Sequence, residues 1–231
     1  KRGQTSYWHT YGPAWMVKDK PYSQAHQPIS EQQTAIGHAV RFVYLMTGVA
    51  HLARLSQDEG KRQDCLRLWK NMAQRQLYIT GGIGSQSSGE AFSSDYDLPN
   101  DSVYAESCAS IGLMMFARRM LEMEADSQYA DVMERALYNT VLGGMALDGK
   151  HFFYVNPLEV HPKSLKFNHI YDHVKPVRQR WFGCACCPPN IARVLTSIGH
   201  YIYTPRQDAL YINMYVGNSM EVPVVNGSLK L

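Results

Sequence analysis

The stretch Cys184-Ala185-Cys186-Cys187-Pro188-Pro189-Asn190 places three thiols within four residues and follows them with two prolines. A disulfide between the neighbours Cys186 and Cys187 would be strained, because adjacent residues tend to point their Cβ atoms apart. Metal ligation explains the cluster better, since zinc takes four ligands drawn from Cys, His and carboxylate. Cys108, in Glu106-Ser107-Cys108, is the other cysteine best placed to contribute. The alternative is that these thiols simply pack as small hydrophobic side chains.

Composition restricts the class of protein. The 231 residues are 45% hydrophobic and 19% charged, which is typical of a globular chain with a sizeable core. The net charge is only +3 and the basic residues are scattered, so we expect no nucleic-acid partner. No apolar run is long enough for a membrane span, so we expect no membrane partner. Five cysteines, an odd number, argue against a secreted disulfide framework and predict a cytoplasmic location.

Hydrophobic periodicity divides the chain into a helical part and a short strand-forming part. Residues 1–34 are rich in aromatic side chains and predict a loop-rich start. Apolar residues at three- and four-residue steps predict helices over 32–55, 65–76, 104–124, 129–145 and 191–201. After Pro205 the period changes to two, and Val225-Asn226-Gly227-Ser228 predicts a hairpin turn. We therefore predict two domains, a helical one over 1–205 and the beginning of a β domain over 206–231.

Two carboxylates stand out by their position. Glu90 ends a loop that begins at Gly81-Gly82-Ile83-Gly84, and this loop lacks the Lys-Ser/Thr pair of a phosphate-binding loop. Taken alone, Glu90 is an ordinary solvated carboxylate. Glu106 and Cys108 are two residues apart and would diverge by about 200° on a regular helix. They can share one metal only if the helix starts irregularly between them.

Five motifs together resemble the bacterial β-L-arabinofuranosidase family, glycoside hydrolase family 127. They follow the family's order over nearly the whole chain. The motifs are Gly37-His38-Ala39-Val40-Arg41, Gly81-Gly82-Ile83-Gly84 with Glu90, Tyr104-Ala105-Glu106-Ser107-Cys108-Ala109, Glu134-Arg135-Ala136-Leu137-Tyr138-Asn139 and Cys184-Ala185-Cys186-Cys187-Pro188-Pro189-Asn190.

The resemblance implies a mainly α fold, namely the second half of an (α/α)6 barrel followed by the start of a β-sandwich domain. It also implies a retaining hydrolase that releases L-arabinofuranose or a related sugar from β-linked glycans. The partner would be an oligosaccharide or glycoside substrate. A homodimer is a further possibility that the sequence does not decide. In this family a zinc-bound cysteine replaces the usual carboxylate nucleophile.

Site roles carry over from the matching motifs. The implied zinc ligands are Glu106, Cys108, Cys186 and Cys187. Cys186 would be the nucleophile and Glu90 the general acid/base. The positions implied to line the sugar site are His38, Glu134 and Tyr154. Cys184 and Cys65 receive no role, and we expect both to be packed thiols.

Two other functions stay open alongside the glycosidase. A noncatalytic helical module could use four zinc ligands only to hold its fold, since closed all-protein coordination is usual for structural zinc. A helical-barrel sugar epimerase with His38 or another histidine as its base would leave the cysteines unexplained. Glu90 distinguishes the glycosidase from the structural module, because a structural module needs no carboxylate facing the metal. The family's barrel has about twelve helices, so we also expect this chain to be part of a longer protein.

Overall fold

The computed structural model describes residues 18–206, 209–224 and 227–230. The first half of the predicted loop-rich start, residues 1–17, lies outside the described residues, as do positions 225 and 226 of the predicted hairpin turn. The described chain is mainly helical, as predicted. Among the described residues, no helix has both the length and the apolar character needed to cross a bilayer.

Six α-helices follow one another within the described residues. Their bounds are Ala39–Ser56 (α1), Glu59–Arg75 (α2), Ser107–Met123 (α3), Ser127–Arg135 (α4), Cys187–Thr196 (α5) and Gly199–Ile202 (α6). A π-helical stretch over Ala136–Leu142 continues α4, and short 3-10 turns occur at Ile29–Glu31, Ser88–Glu90 and His169–Tyr171. Each predicted helix is therefore present, although two of them start later than the sequence pattern indicates.

The late start of α1 has a local cause. Gly37 has a φ of +76°, and a Cβ atom there would lie 2.0 Å from the carbonyl oxygen of Pro21. The chain turns at this glycine, and His38 then caps the helix by accepting a hydrogen bond from the backbone N–H of Arg41. The sequence pattern placed the residues from position 32 in this helix. That part of the prediction is wrong, because the residues before position 38 belong to a turn.

The core forms mainly between α1 and α3. Helix α3 is buried along nearly its whole length. Gly112 lets the two helices approach, because a Cβ atom at this position would lie 2.4 Å from Val43. Trp69 of α2 packs edge-on against Phe116 and Tyr129, with ring centroids 5.3 and 4.9 Å apart. Each such buried ring contributes roughly 1.5–3 kcal/mol of hydrophobic stabilisation.

In the described parts of the strand-forming segment there are two antiparallel pairs. Tyr203–Pro205 (β1) pairs with Leu210–Ile212 (β2), and Glu221–Val224 (β3) pairs with Gly227–Lys230 (β4). The second pair places Val224 opposite Gly227, so the predicted hairpin is confirmed. The alternating pattern beyond Ile212 does not continue β2, which ends there.

Three helices begin at one place. The residues that precede α1, α3 and α5 are His38, Glu106 and Cys186, and all three line the same cavity. A helix N-terminus carries a partial positive charge from its unpaired N–H groups. The fold therefore directs three positive helix ends at one cavity.

Candidate active site

Four potential ligand side chains meet at these helix starts. The ligand atoms of Glu106, Cys108, Cys186 and Cys187 all lie within 4.8 Å of one another. Cys187 Sγ is 3.6 Å from Cys108 Sγ and 3.7 Å from Cys186 Sγ, and Cys186 Sγ is 3.3 Å from Glu106 Oε1. None of the three thiols is in a disulfide. This donor set could hold a metal ion.

The backbone before α3 explains how Glu106 and Cys108 meet. Glu106 is the N-cap, with an extended φ of −60° and ψ of 137°, and it forms a β-bridge with Val155. Ala105 before it has a φ of +40°, a conformation that is strained for a residue with a side chain. Glu106 therefore leaves the helical path, as the shared-metal hypothesis requires.

The prolines shape the start of α5. Cys186 is the N-cap and Cys187 the first helical residue, with Pro188 directly after it. Proline fits a first helical turn because it lacks the N–H that would be unpaired there. In this turn the two neighbouring cysteines converge, which the general preference of adjacent residues does not predict.

Among the described residues, the ion pair at this cavity joins His38 to Glu90 and includes neither Glu106 nor the three thiols. Glu106 Oε2 is buried and accepts no hydrogen bond among the described residues. Burial, with the Glu90 carboxylate and Cys186 nearby, raises the pKa of Glu106 to about 10. Hydrogen bonds from Cys186 and Cys187 lower the pKa of Cys108 to about 5, whereas the same network raises the pKa of Cys187. A bound cation would offset the cost of burying these groups as anions.

The cavity over this cluster has a volume of about 640 Å³. Half-buried Cys186 and buried Cys108 both line it, whereas buried Cys187 is not among its lining residues. Tyr154 Oη and Cys186 Sγ are hydrogen-bonded at 3.1 Å. The other lining residues include His38, Glu90, Tyr22, Tyr44, Asn190 and Arg193. Of the clustered thiols, Cys186 is thus the most exposed to the cavity.

Glu90 is held on the same cavity by two neighbours. Its Oε2 lies 3.0 Å from His38 Nε2, and its Oε1 accepts a hydrogen bond of 2.9 Å from the Tyr104 hydroxyl. Its φ of +51° is again strained. Burial raises its pKa, but the hydrogen bonds from His38 and Tyr104 and the charge of His38 outweigh burial, so that the pKa of Glu90 lies below its usual value.

His38 has a defined orientation in this pair. Its Nδ1 accepts the backbone N–H of Arg41 at 3.5 Å, so the proton of the neutral ring lies on Nε2 and points at Glu90. His38, Glu90 and Glu106 also form a second group of ligand atoms within 4.8 Å of one another. Glu106 belongs to both groups, and it therefore joins Glu90 to the thiols.

The remaining sequence predictions fare differently. Glu134 is exposed near the end of α4, whose buried side chains are Tyr129, Val132 and Met133. The structure does not bring it to this cavity, because it faces solvent from a helix that packs through its other side. Cys65 is a packed thiol, as expected, and burial raises its pKa to about 12. Cys184 was predicted to be a packed thiol, and this prediction is wrong. It is exposed at the cavity edge, because it precedes the first turn of α5.

Sequence reasoning missed Tyr104, Tyr44 and Asn190. Tyr104 and Asn190 lie inside motifs that it quoted, two residues before Glu106 and three after Cys187. Their proximity to functional residues was the available signal. Tyr44 gave none, because its partner Asn190 is 146 positions away.

Comparison with known proteins agrees with this geometry. Residues 6–200 match the family model described as β-L-arabinofuranosidase, GH127 catalytic domain. A non-reducing end β-L-arabinofuranosidase from Bifidobacterium longum subsp. longum is 49% identical over 202 residues, which cover 87% of this chain and 30% of the relative.

Solved structures give the same result. A GH127 β-L-arabinofuranosidase from Geobacillus stearothermophilus T6 is 53% identical, with a TM-score of 0.90, over 99% of this chain and 37% of its own. A second GH127 β-arabinofuranosidase is 41% identical, with a TM-score of 0.82, over 91% of this chain and 31% of its own. The chain thus spans about a third of the length of these relatives. From the matched residues and the shared fold, the chain belongs to the GH127 β-L-arabinofuranosidase family of glycoside hydrolases.

Proposed function

We propose that this chain carries the catalytic centre of a retaining glycoside hydrolase that releases L-arabinofuranose or a related sugar from β-linked glycans. One observation supports this most strongly. Cys186 and Glu90 line one cavity and are connected through Glu106, which neighbours both. A nucleophile and a proton donor at one opening are what retaining hydrolysis needs.

The metal in this proposal is zinc, held by Glu106, Cys108, Cys186 and Cys187. Zinc–sulfur bonds of about 2.3 Å in a tetrahedral site put ligand sulfurs about 3.8 Å apart. The observed separations of 3.6 and 3.7 Å are close to this value. Glu106 Oε2, which has no hydrogen-bond partner among the described residues, supports the same conclusion, because a bound cation would offset the cost of burying this group as a carboxylate.

Zinc would supply charge that keeps its thiol ligands ionised at neutral pH. Two of the three clustered thiols line the cavity, Cys108 and Cys186. Cys186 is the proposed nucleophile because it is half-buried, whereas Cys108 is only 3% exposed. Its position at the N-cap of α5 adds the partial positive charge of a helix end. With four protein ligands no position remains for a metal-bound water, so a ligand itself must attack.

Two balanced steps follow. In the first, the Cys186 thiolate forms a C–S bond to the anomeric carbon while the glycosidic C–O bond breaks. Glu90 gives a proton to the departing oxygen from its protonated form, which its lowered pKa makes the minor form at neutral pH. In the second, the Glu90 carboxylate takes a proton from water, whose oxygen displaces sulfur and restores the thiolate. His38 and Tyr104 hold Glu90 in place for both steps.

Sugar contacts are proposed for His38 and Tyr154, which line the cavity. We further propose that residues 1–205 form the second half of an (α/α)6 barrel and that 206–231 begin a β-sandwich. Both parts would act within the cytoplasm, where thiols stay reduced.

Replacing Cys186 tests the proposal. Cys186→Ser should lower hydrolysis of an aryl β-L-arabinofuranoside by about 10⁴-fold or more, the scale seen when a catalytic nucleophile is removed, because a hydroxyl is a poorer nucleophile and a poorer zinc ligand.

Cys184→Ser is the matched control, since Cys184 lines the same cavity outside the cluster. It should keep most of the activity. Equal losses in the two variants, with zinc retained in both, would remove Cys186 from its role.

If the chain is instead a noncatalytic zinc-stabilised module, Cys186→Ser should have a different effect. This alternative predicts that Cys186→Ser lowers stability and zinc content in a protein that never cleaves the glycoside. The position of Glu90 on the cavity favours the catalyst, because a structural site has no use for it.

A further inference from the structure

The hydroxyl of Tyr154 contacts the sulfur of the proposed nucleophile. Tyr154 Oη lies 3.1 Å from Cys186 Sγ, within hydrogen-bond distance. The same sulfur lies 3.3 Å from Glu106 Oε1 and 3.7 Å from Cys187 Sγ. These two neighbours belong to the proposed zinc ligands, which give up their protons when a metal binds. Of the three neighbours, Tyr154 is therefore the one that keeps a proton to donate to sulfur.

The side chain of Tyr154 is held by both its backbone and its ring. Its carbonyl accepts a hydrogen bond of 2.9 Å from the N–H of Ser107, the first residue of α3. Its ring packs against those of Tyr104 and Phe182, with centroids 6.1 and 5.6 Å away. Phe182 precedes Cys186 by four residues, and Tyr154 is only 8% exposed. The hydroxyl therefore has a fixed place between the starts of α3 and α5.

The charge on the sulfur sets the direction of this hydrogen bond. A phenol keeps its proton at neutral pH, whereas a thiolate has none and can only accept. When Cys186 is ionised, Tyr154 is therefore the donor, and hydrogen bonds to ionised groups are roughly twice as strong as those between neutral groups. The Tyr154 oxygen keeps its lone pairs and can still accept a hydrogen bond from a sugar hydroxyl. Donation to sulfur is thus compatible with the proposed sugar contact.

We propose that Tyr154 is a positioning residue that donates its O–H to the Cys186 thiolate and so fixes the direction and the electron donation of the nucleophilic sulfur. The inference rests on the proposed function, in which Cys186 is the nucleophile of a zinc centre. Groups that hydrogen-bond metal ligands orient them and tune their electron donation. Sulfur loses negative charge when the C–S bond forms and regains it when that bond breaks. The donor therefore makes this thiolate a weaker nucleophile and a better leaving group.

The competing explanation is that Tyr154 only contacts the sugar. Tyr154→Phe separates the two explanations, because it removes the hydroxyl and keeps the packed ring. A sugar contact alone predicts weaker substrate binding and an unchanged sulfur in the substrate-free protein. A donor to sulfur predicts a more reactive sulfur even when no sugar is present. The decisive measurements are therefore made without substrate.

The first measurement is the rate at which iodoacetamide alkylates Cys186 in protein saturated with zinc. All variants carry Cys184→Ser, because Cys184 is exposed and would react as well. We expect Tyr154→Phe to raise the rate about threefold to tenfold, since a thiolate that loses a hydrogen bond becomes more basic and its nucleophilicity rises with basicity. Peptide mass spectrometry confirms that the alkyl group is on Cys186.

Tyr44→Phe is the matched control for loss of a tyrosine hydroxyl at this cavity. Tyr44 lines the same cavity, but its hydroxyl accepts hydrogen bonds from Asn190 Nδ2 at 2.7 Å and Arg193 Nη2 at 2.9 Å. It contacts no clustered sulfur among the described residues. The rate of alkylation at Cys186 should therefore stay at its value in the Cys184→Ser background.

The second measurement is the absorption spectrum of the Co²⁺-substituted protein without substrate. Losing the O–H donor makes the Cys186 thiolate a stronger donor to the metal, so the sulfur-to-metal charge-transfer band should move to lower energy in Tyr154→Phe. Tyr44→Phe should leave the band in place. A merely structural role of Tyr154 would move neither the band nor the alkylation rate.

An unchanged alkylation rate or an unmoved band in metal-loaded Tyr154→Phe protein would overturn the inference. Lowered glycoside hydrolysis in that variant would then leave Tyr154 as a sugar contact in an intact centre. A wild-type protein that binds no zinc and forms no bond between sugar and Cys186 would overturn the proposed function and this inference together.

Discussion

The two ends of helices α1 and α3 differ in how their charges are balanced. At the N-terminal ends, Glu106, Glu90 and three thiols crowd together, and one Glu106 oxygen has no donor among the described residues. Near the C-terminal ends, the single carboxylate of Glu122 contacts three arginines. These arginines are Arg54, Arg118 and Arg119, and all are partly exposed.

This difference in charge balance indicates that the N-terminal ends of α1 and α3 form a binding site, whereas the contacts near their C-terminal ends are structural. Arginines near helix C-termini complement the dipole and pair in solvent, where each pair contributes little. In the largely buried N-terminal cluster, the ion pair found among the described residues is that of Glu90 with His38, so ionising Glu106 and the thiols together is unfavourable unless a cation joins them. Strained backbone at Ala105 and Glu90 occurs at this end as well, as expected where a site constrains the chain.

The largest expected effect of a conservative change at the N-terminal end is at Glu90. Glu90→Gln removes the proton donor and should slow hydrolysis of glycosides with poor leaving groups by about 10²–10⁴-fold. Steady-state rates across leaving groups of different acidity would show it. Zinc content and thermal midpoint should stay at the wild-type value, since the amide keeps the shape of the side chain.

If Glu90→Gln protein hydrolysed these glycosides at the wild-type rate, Glu90 would not be the proton donor proposed at the N-terminal ends of α1 and α3. The control is Glu159→Gln, because Glu159 is exposed and lies outside the cavity lining. It should leave the rate unchanged.

Metal removal should lower stability. Zinc that binds only the folded chain stabilises it by about 2.7 kcal/mol when free zinc is 100 times its dissociation constant. A chelated sample should therefore melt several degrees lower in a thermal scan, and added zinc should restore the midpoint. An unchanged midpoint in a sample proven metal-free would contradict the site.

Zinc binding should also release protons near neutral pH. The pKa of Glu106 is raised to about 10 and that of Cys187 is raised as well, so both hold protons in the metal-free chain and must lose them. The pKa of Cys108 is lowered to about 5, so it adds little. We expect about two protons from the first two groups, and zinc affinity should therefore rise with pH up to the raised pKa values. Calorimetry in buffers of different ionisation enthalpy measures the release.

The smallest effect is expected at the other end. Glu122→Gln removes the carboxylate from three partly exposed arginines, and such surface pairs contribute about 0–1 kcal/mol each. Denaturant unfolding should show a small loss that shrinks with added salt, and zinc affinity should not change. If the free energy of unfolding fell as much as it does on zinc removal, the contacts of Glu122 would contribute far more to stability than surface ion pairs do.

The sequence predicted which side chains cluster better than it predicted the residues around them. Motifs located Glu90, Glu106 and the three thiols, because each motif is local in the chain. Tyr44 and Asn190 come together only by packing between α1 and α5, and neither residue type signals such a contact. Cys184 was misjudged since adjacency to the cluster says nothing about exposure.

Helix existence was predictable and helix starts were not. The apolar pattern correctly indicated helices from α1 to α5. The start of α1 depends on the positive φ of Gly37, and that of α3 on the positive φ of Ala105. The alanine gives no sequence signal, because tertiary contacts hold it there: its N–H donates to the Gly84 carbonyl, and its own carbonyl accepts from Asn156 Nδ2.

The most direct test of the central claim is to find the sugar on Cys186. In Glu90→Gln protein given an activated aryl β-L-arabinofuranoside, the first step needs little proton donation, whereas the second lacks its base. Intact and peptide mass spectrometry should show one added pentosyl unit, located on the peptide at Cys186. A sugar on Cys184 or on Glu106, or steady turnover with no adduct in any variant, would contradict the account.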